Sequence, residues 1–182
     1  FAMDENTTQS FNVTASDFDN DTLIYSWYLD NILQSSIIDT FDYYADFNSA
    51  GTHNITVIVS DGFAEVSQFW NVTVNNVNRA PVLQPILDQT INESDLFDVN
   101  PLLNANDPDG DPLSFTYSAP LNSSGQWQTD YNSAGNYTIN VSVSDGLLQD
   151  SKIFNLQVLN VNRVPVINIP NQSISEDIAS QL

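Results

Sequence analysis

The sequence contains no cysteine among its 182 residues, which excludes both a disulfide framework and cysteine-based catalysis. Lysine and arginine together number 3 against 23 aspartates and glutamates, so the formal net charge is −20. Because contact with phosphate needs clustered positive charge, so few cations exclude nucleic acid and anionic lipid surfaces as partners. Any stabilisation beyond the core must therefore come from something other than covalent cross-links.

Long apolar runs are also missing, and none approaches the roughly 18 residues that a membrane span needs. No signal peptide opens the chain, but the chain begins inside a repeat, so this absence says nothing about where the protein resides. The chain has a single histidine, and its six glycines form no phosphate-binding loop. With no Ser-His-Asp constellation that the repeats would assemble, we expect that the protein is not an enzyme.

What the chain does contain is stretches in which apolar residues recur at every second position. Apolar residues make up 41% of the sequence, which excludes an acidic disordered chain and favours packed sheets. The alternation occupies residues 11–15, 23–28, 55–60 and 70–74, and again 113–117, 137–143 and 154–158. Short half-buried strands separated by Asp-Gly and proline turns predict an all-β protein made of immunoglobulin-like (Ig-like) antiparallel β-sandwiches.

The alternating pattern occurs in two similar repeats. The stretch from Ser-Ala-Gly to Ser-Asp-Gly at 49–62 returns at 133–146, and the Asn-Val-Asn-Arg segment at 76–79 returns at 160–163, in both cases 84 positions later. An acidic loop at 17–21 returns at 107–111. This period exceeds the roughly 20–50 residues of solenoid repeats, so each repeat is a whole module. The sequence predicts module one at residues 1–79 and module two at residues 80–163.

Residues 164–182 restart the pattern, whereas module one lacks the matching opening strand. One interpretation is a window cut from a longer tandem array, in which residues 164–182 open a third module. The other is donor-strand exchange, in which residues 164–175 complete module one of the next subunit and build a filament.

Three segments carry a family resemblance: Asp-Pro-Asp-Gly-Asp-Pro-Leu at 107–113, the Ser-Ala-Gly to Ser-Asp-Gly stretch, and the Asn-Val-Asn-Arg-Val-Pro linker. Together they resemble the cadherin-like and PKD-type Ig-like modules of bacterial and archaeal surface proteins. The resemblance covers both modules and implies structural or adhesive repeats at an extracellular or cell-surface address. The acidity, the absence of cysteine and the many glycosylation sequons favour an archaeal source.

The acidic loops present three carboxylates at alternate positions, which would repel one another unless a cation or hydrogen bonds compensated them. Ca²⁺ takes six to eight oxygens from flexible loops, whereas the competing interpretation is a solvated Asx turn. The loop ligands would be Asp17, Asp19 and Asp21 in module one, and Asp107, Asp109 and Asp111 in module two. The resemblance implies that the remaining oxygens come from Glu5 and Asp61, and from Glu93 and Asp145.

The linkers depart from the family pattern. After Asn78 and Asn162, where an aspartate is usual in the family, the chain has Arg79 and Arg163. This substitution argues against an interdomain calcium cluster of the cadherin type. It predicts instead that each guanidinium pairs with carboxylates of the adjoining module, since arginine offers planar, bidentate hydrogen bonding.

Asn-x-Ser/Thr sequons are dense, which agrees with a glycosylated extracellular protein but also follows from a chain rich in Asn, Ser and Thr. They are Asn6, Asn12, Asn20, Asn54, Asn71, Asn92, Asn122, Asn136, Asn140 and Asn171.

Together these features predict repeat modules that form an extended shaft, stabilised by structural calcium, whose partners are like modules in the same chain or filament, glycans or other cells. The alternatives are a filament subunit and a carbohydrate-binding accessory module of a secreted enzyme. For the last, Trp127 is the candidate sugar-stacking residue, because its loop has no evident counterpart in module one. His53 stands where Tyr137 forms a tyrosine corner in module two, and we expect that it serves packing.

Overall fold

A computed structural model describes residues 1–168 of the chain. The chain forms two compact units that divide between Arg79 and Ala80. The first unit, module one, contains seven strands: β1 (Ala2–Asp4), β2 (Thr7–Asn12), β3 (Ile24–Leu29), β4 (Ile32–Leu33), β5 (Thr40–Ala45), β6 (Gly51–Ser60) and β7 (Glu65–Asn75). Five of them form one sheet in the order β1-β7-β6-β3-β4, and β2 pairs with β5 in the other.

The second unit, module two, repeats this arrangement with one further strand pair. Its strands are β8 (Val82–Leu83), β9 (Gln89–Asn92), β10 (Leu96–Asp98), β11 (Ala105–Asn106), β12 (Ser114–Tyr117), β13 (Gln126–Gln128), β14 (Gly135–Ser144) and β15 (Gln149–Leu159), with a 3₁₀ helix at Asn100–Leu102. The main sheet has the order β12-β14-β15-β9, β10 pairs with β13, and β8 pairs with β11.

The expected alternation produces the core of each module. Along β6 the side chains of Ile55, Val57 and Val59 are buried, and β14 buries Ile139, Val141 and Val143 in the same register. In module one these residues pack around a stack of three rings. Trp27 is fully buried and stacks on Phe41 and Trp70, with ring centroids 5.6 and 5.9 Å apart. The predicted all-β, tandem sandwich fold is thus confirmed.

The sheets are antiparallel except at one position in each module, where the first strand of the main sheet runs parallel to the last. Strand β1 pairs in parallel with β7, and β9 pairs in parallel with β15. The β8–β11 pair has no counterpart among residues 1–79. Over residues 1–168 we find no helix whose length and apolar character would let it cross a membrane.

Candidate functional site

A buried glutamate lies at the start of each module. Glu5 is 2% exposed, and its two carboxylate oxygens accept hydrogen bonds from the N–H groups of Ala50 and Val77, both at 3.0 Å. The backbone N–H of Glu5 also donates to the carbonyl of Asn75. A buried carboxylate is costly unless it is hydrogen-bonded, and here backbone donors from two separate segments satisfy it. Glu5 therefore ties the linker to the Ser-Ala-Gly loop of its own module.

Module two contains the same arrangement. Glu93 is 4% exposed and accepts hydrogen bonds from the N–H groups of Ala134 at 3.2 Å and Val161 at 2.9 Å. Its own N–H donates to the carbonyl of Leu159. Because the same contacts recur at equivalent positions, the buried glutamate is a structural feature that both modules share.

The linker arginines complete this device. The Arg79 guanidinium lies over the ring of Phe47, 5.0 Å from its centroid, and donates to the Phe47 carbonyl. Arg163 lies over the ring of Tyr131 at 4.5 Å and donates to the Tyr131 carbonyl. Cation–π contact contributes about 0.5–1 kcal/mol at exposed sites. These contacts lie within each module, so the predicted pairing of the arginines with the adjoining module stays a prediction.

We call the glutamate, its two amide donors, the arginine and the aromatic residue the linker clamp. The loop that supplies the aromatic residue is held by an aspartate at its start. Asp46 accepts from the N–H of Asn48 and the hydroxyl of Ser49, and these two bonds lower its pKa. In module two, Asp130 accepts from the Ser133 hydroxyl and the Asn132 N–H, and its pKa is likewise lowered. Of the two linker asparagines, Asn78 is half-buried and Asn162 is exposed.

The acidic loops are Asx turns. Oδ1 of Asp17 accepts from the N–H groups of Asp19 and Asp21, both at 2.9 Å. Asn20 in this loop has a φ of 63°, a left-handed conformation that asparagine tolerates.

In module two, Oδ1 of Asp107 accepts from the N–H groups of Asp109 and Asp111, and Gly110 takes the left-handed position of Asn20. The other oxygen, Oδ2 of Asp107, is buried and has no hydrogen-bond partner among the described residues. An oxygen of this kind fits a cation ligand.

The aspartates of the Ser-Asp-Gly motif cap the hairpins at the ends of β6 and β14. Oδ1 of Asp61 accepts from the N–H groups of Phe63 and Ala64, and the bonds from Ala64 and Phe63 lower its pKa. Asp145 accepts in the same way from Leu147 and Leu148. The motif therefore has a structural role in closing the turn, whatever else it binds.

The structure brings some predicted calcium ligands together and separates others. Asp17 and Asp61 line one small cavity of about 130 Å³. Glu5 contacts residues at the start of β6 and Asp61 follows its end, and ten residues at 3.3 Å each put them roughly 30 Å apart. Within one module, the glutamate and the loop aspartates therefore cannot share one ion. Residues 1–168 contain no group of three or more acidic, histidine or cysteine side chains arranged for a metal.

Nine of the ten sequons lie in the described residues. Seven have exposed asparagines: Asn6, Asn12, Asn20, Asn71, Asn92, Asn122 and Asn136. Asn54 and Asn140 are half-buried, and their Nδ2 atoms donate to Asn71 and Ser142. Asn171, like the rest of residues 169–182, lies outside the described residues.

The structure corrects the interpretation of Trp127. This residue lies on β13 opposite Phe97 on β10, so its side chain turns toward the core rather than into solvent. Its ring is half-buried and meets the edge of Tyr137, with centroids 4.8 Å apart. The equivalent pair in module one is Tyr43 and His53, at 5.8 Å. Trp127 thus has a core counterpart and packs against the core instead of projecting from an exposed loop.

Sequence reasoning missed the aromatic and aspartate partners of the clamp, Phe47 and Tyr131 with Asp46 and Asp130. The signal was present, because Asp-Phe-Asn-Ser-Ala-Gly at 46–51 and Asp-Tyr-Asn-Ser-Ala-Gly at 130–135 belong to the 84-residue repeat. Only the fold shows that this loop meets the linker arginine more than 30 positions later.

Comparison with known proteins agrees with this architecture. Residues 78–156 match a family model described as a bacterial Ig domain. Chitinase A of Pseudoalteromonas piscicida is 33% identical over 156 residues, and the match covers 79% of this chain but 19% of that protein.

Two solved cadherin structures share the fold. Human protocadherin-24 EC1-2 (Form II) covers 89% of this chain and 94% of its own, with a TM-score of 0.50 at 17% identity. Drosophila N-cadherin EC1-4 covers 87% of this chain and 47% of its own, with a TM-score of 0.51 at 13% identity. Residues 78–156 thus resemble a bacterial Ig domain, and the chain as a whole consists of tandem Ig-like β-sandwich modules with a cadherin-like fold.

Proposed function

We propose that this chain is a pair of structural spacer modules within a larger secreted or surface-exposed protein. Bacterial Ig domains typically occur in such proteins, and the chain spans only 19% of the chitinase that it resembles. The duplicated linker clamp is the observation that carries the proposal. A linker held to its own module by a buried carboxylate and an arginine suits a spacer, whereas a free tether needs neither.

The clamp can be tested by substituting Glu93 with glutamine. The side-chain amide can replace only one carboxylate oxygen as acceptor, so either the Ala134 or the Val161 N–H faces a donor. A buried donor left without an acceptor costs about 1–3 kcal/mol of unfolding free energy. Hydrogen exchange should show the Val161 amide protected in the wild-type chain. In Glu93→Gln, either this amide or the Ala134 amide should lose its protection, depending on which of them still donates to the glutamine oxygen.

Glu65→Gln provides the matched control, because Glu65 is exposed on β7. The same change of charge there should leave both the free energy of unfolding and the hydrogen exchange of the two amides unaltered. If the Val77 and Val161 amides exchange in the wild-type chain as fast as in an unfolded peptide, the linkers are free tethers. That result would overturn the spacer proposal.

We further propose that calcium stabilises module two through the acidic loop. The orphaned Oδ2 of Asp107 supports this, since a divalent cation would supply the missing partner. Because no cluster of three ligands forms within residues 1–168, backbone carbonyls, water or groups outside the module would complete the coordination.

A second candidate function is that of an accessory module that holds a polysaccharide near an enzyme, and the similarity to a chitinase favours it. Trp127 packs against the core, whereas Phe18 and Phe63 are 99% and 94% exposed. Sedimentation with insoluble chitin tests this function. Binding that disappears in Phe18→Ala/Phe63→Ala would support it, and a chain that stays in the supernatant would exclude it.

A further inference from the structure

The outer face of the main sheet of module one carries a row of side chains that crosses four strands. The register places Leu33 on β4 opposite Tyr28 on β3. Thr56 on β6 lies opposite Tyr28 on one side and opposite Phe69, on β7, on the other. Because Val57, next to Thr56, is buried, this row lies on the face away from the core. Leu33 and Phe69 are 61% and 59% exposed. We call these four residues the outer row.

Module two has the same face, but its row contains no aromatic residue. The N–H of Ser118 donates to the carbonyl of Asn140, and Asn140 lies opposite Ile153. These three residues are equivalent to the last three of the outer row. Ile153 is 66% exposed although module two has its opening strand β8, so an opening strand leaves this face uncovered. The two aromatic rings are therefore particular to module one.

Uncharged groups border the outer row on both sides. In the next row on one side, Asn54 lies opposite Asn71, and its Nδ2 donates to Oδ1 of Asn71 at 3.2 Å. In the next row on the other side, Ile58 lies between Ser26 and Ser67. None of the residues in these three rows is charged, in a chain whose net charge is −20.

The lack of charge in these rows decides between the possible occupants. Two copies of the chain would bring two net charges of −20 together, which opposes a face-to-face dimer. A charged ligand would meet no opposite charge in the three rows. An uncharged polysaccharide fits, because the apolar faces of sugar rings stack on aromatic side chains, and sugar hydroxyl groups form hydrogen bonds with amides and hydroxyls.

The spacing of the two rings fits an extended polysaccharide. Tyr28 and Phe69 are separated by two strand spacings, which is about 10 Å. The repeat of two sugars in an extended β-1,4-linked chain has about this length, so both rings can stack on one chain at every second sugar. A hollow of about 280 Å³ lies on the same face and is lined by Tyr28, Asn31, Thr56 and Ile58.

We propose that the outer row of module one binds an uncharged β-1,4-linked polysaccharide. Tyr28 and Phe69 stack on its sugar rings, and the exposed Asn71 forms hydrogen bonds with its hydroxyl groups. The proposal rests on the accessory role and places its ligand on the sheet face instead of the loop residues Phe18 and Phe63. It does not depend on the spacer role, which the exchange of the linker amides tests.

Sedimentation with insoluble chitin, an uncharged β-1,4-linked polysaccharide, tests the two rings. Tyr28→Ser/Phe69→Ile gives the outer row the residues that module two has at these positions, which suit the same fold. The dissociation constant should rise about tenfold or more, because both stacking contacts are lost. Tyr44→Ser is the matched control, since Tyr44 is 55% exposed on β5 in the other sheet, and it should bind like the wild type.

Backbone amide chemical shifts of the wild-type chain, titrated with a soluble oligomer of N-acetylglucosamine, locate the site without any substitution. The largest changes should fall on Thr56, Phe69 and Asn71. Changes confined to residues 17–21 and 61–64, or undiminished chitin binding by Tyr28→Ser/Phe69→Ile, would overturn this proposal and leave the accessory role intact. A chain that binds neither probe would overturn both. Self-association that this variant abolishes, without binding of either probe, would identify a second copy as the occupant.

Discussion

His53 and Tyr137 occupy equivalent positions, and each donates a hydrogen bond to the carbonyl of the equivalent serine. The Tyr137 hydroxyl donates to Ser133 at 2.9 Å, and Nε2 of His53 donates to Ser49 at 2.8 Å. The histidine differs in having a second partner, since its Nδ1 lies 2.7 Å from a carboxylate oxygen of Asp30. Both ring nitrogens therefore face acceptors, an arrangement that only the doubly protonated ring satisfies.

This arrangement makes the stability of module one depend on pH. Burial lowers the pKa of His53, but the hydrogen bonds to Asp30 and the Ser49 carbonyl outweigh it and raise the pKa above the usual 6.5. The stabilisation is therefore complete below about pH 6.5 and is lost as the pH rises through the higher folded-state pKa. Burial alone would raise the pKa of Asp30, but the hydrogen bonds from Asn54 and His53 outweigh it and hold the pKa below its usual value. The contribution of Asp30 to stability is therefore lost only under acid conditions.

We expect His53→Tyr to keep the bond to Ser49 and to remove this dependence on pH. Urea unfolding of module one between about pH 5 and pH 8, followed by the fluorescence of Trp27 and Trp70, measures the effect. The free energy of unfolding should fall with rising pH in the wild type more steeply than in the variant. Parallel profiles for the two proteins would show that the histidine plays no part.

At the scale of elements, the turn before β13 packs tightly against its neighbours at Gly125. Gly125 has a φ of +73°, and a Cβ atom there would lie 2.9 Å from Cζ of Tyr117 and 3.0 Å from Cγ1 of Val99. Val99 is fully buried and cannot yield easily.

Gly125→Ala should therefore combine the cost of the left-handed backbone conformation with overpacking. Together these should lower the free energy of unfolding by about 2–4 kcal/mol. Gly110→Ala is the control, because its φ of +81° is similar and no atom lies within 4 Å of the added Cβ. It should cost only the backbone penalty of about 1–2 kcal/mol. Thermal unfolding of the two variants compares them, and equal losses would refute the packing argument.

The strands with the clearest alternation were predictable, and β6, β7, β14 and β15 contain the stretches that the pattern indicated. Strand β5 was missed, although Phe41, Tyr43 and Ala45 point inward, because tyrosine and aspartate between them blur the contrast between its two faces. The short pair β10 and β13 was missed because each strand has three residues, too few for a period to show.

The candidate site was predictable as a set of residues but not as an arrangement. Glu5 and Glu93 stood out as repeated acidic residues, yet their amide partners lie between 41 and 72 positions away along the chain. Contacts over such separations follow from the sandwich fold and leave no local pattern. The sequence therefore indicated a ligand where the structure shows a buried carboxylate satisfied by backbone amides.

For the molecule as a whole, calcium is the variable that we would change first. The temperature of thermal unfolding should be higher in millimolar calcium than in chelator. A calcium concentration of 100 times the dissociation constant of the site would add about 2.7 kcal/mol to the free energy of unfolding. Asp107→Asn/Asp109→Asn should abolish the shift, whereas Asp17→Asn/Asp19→Asn should affect it less, since the orphaned oxygen belongs to Asp107. Identical transitions with and without calcium would end the calcium proposal.

The parallel pairing of the first and last strands of each main sheet has a mechanical consequence. In module two, tension applied at the two ends pulls β9 and β15 in opposite directions along their common axis. Their hydrogen bonds are then sheared together instead of being opened one after another, so the module should rupture at high force without any covalent cross-link. Thr90 lies on β9, the strand that carries this pairing. In single-molecule stretching, Thr90→Pro should lower the rupture force more than a proline substitution in a loop does.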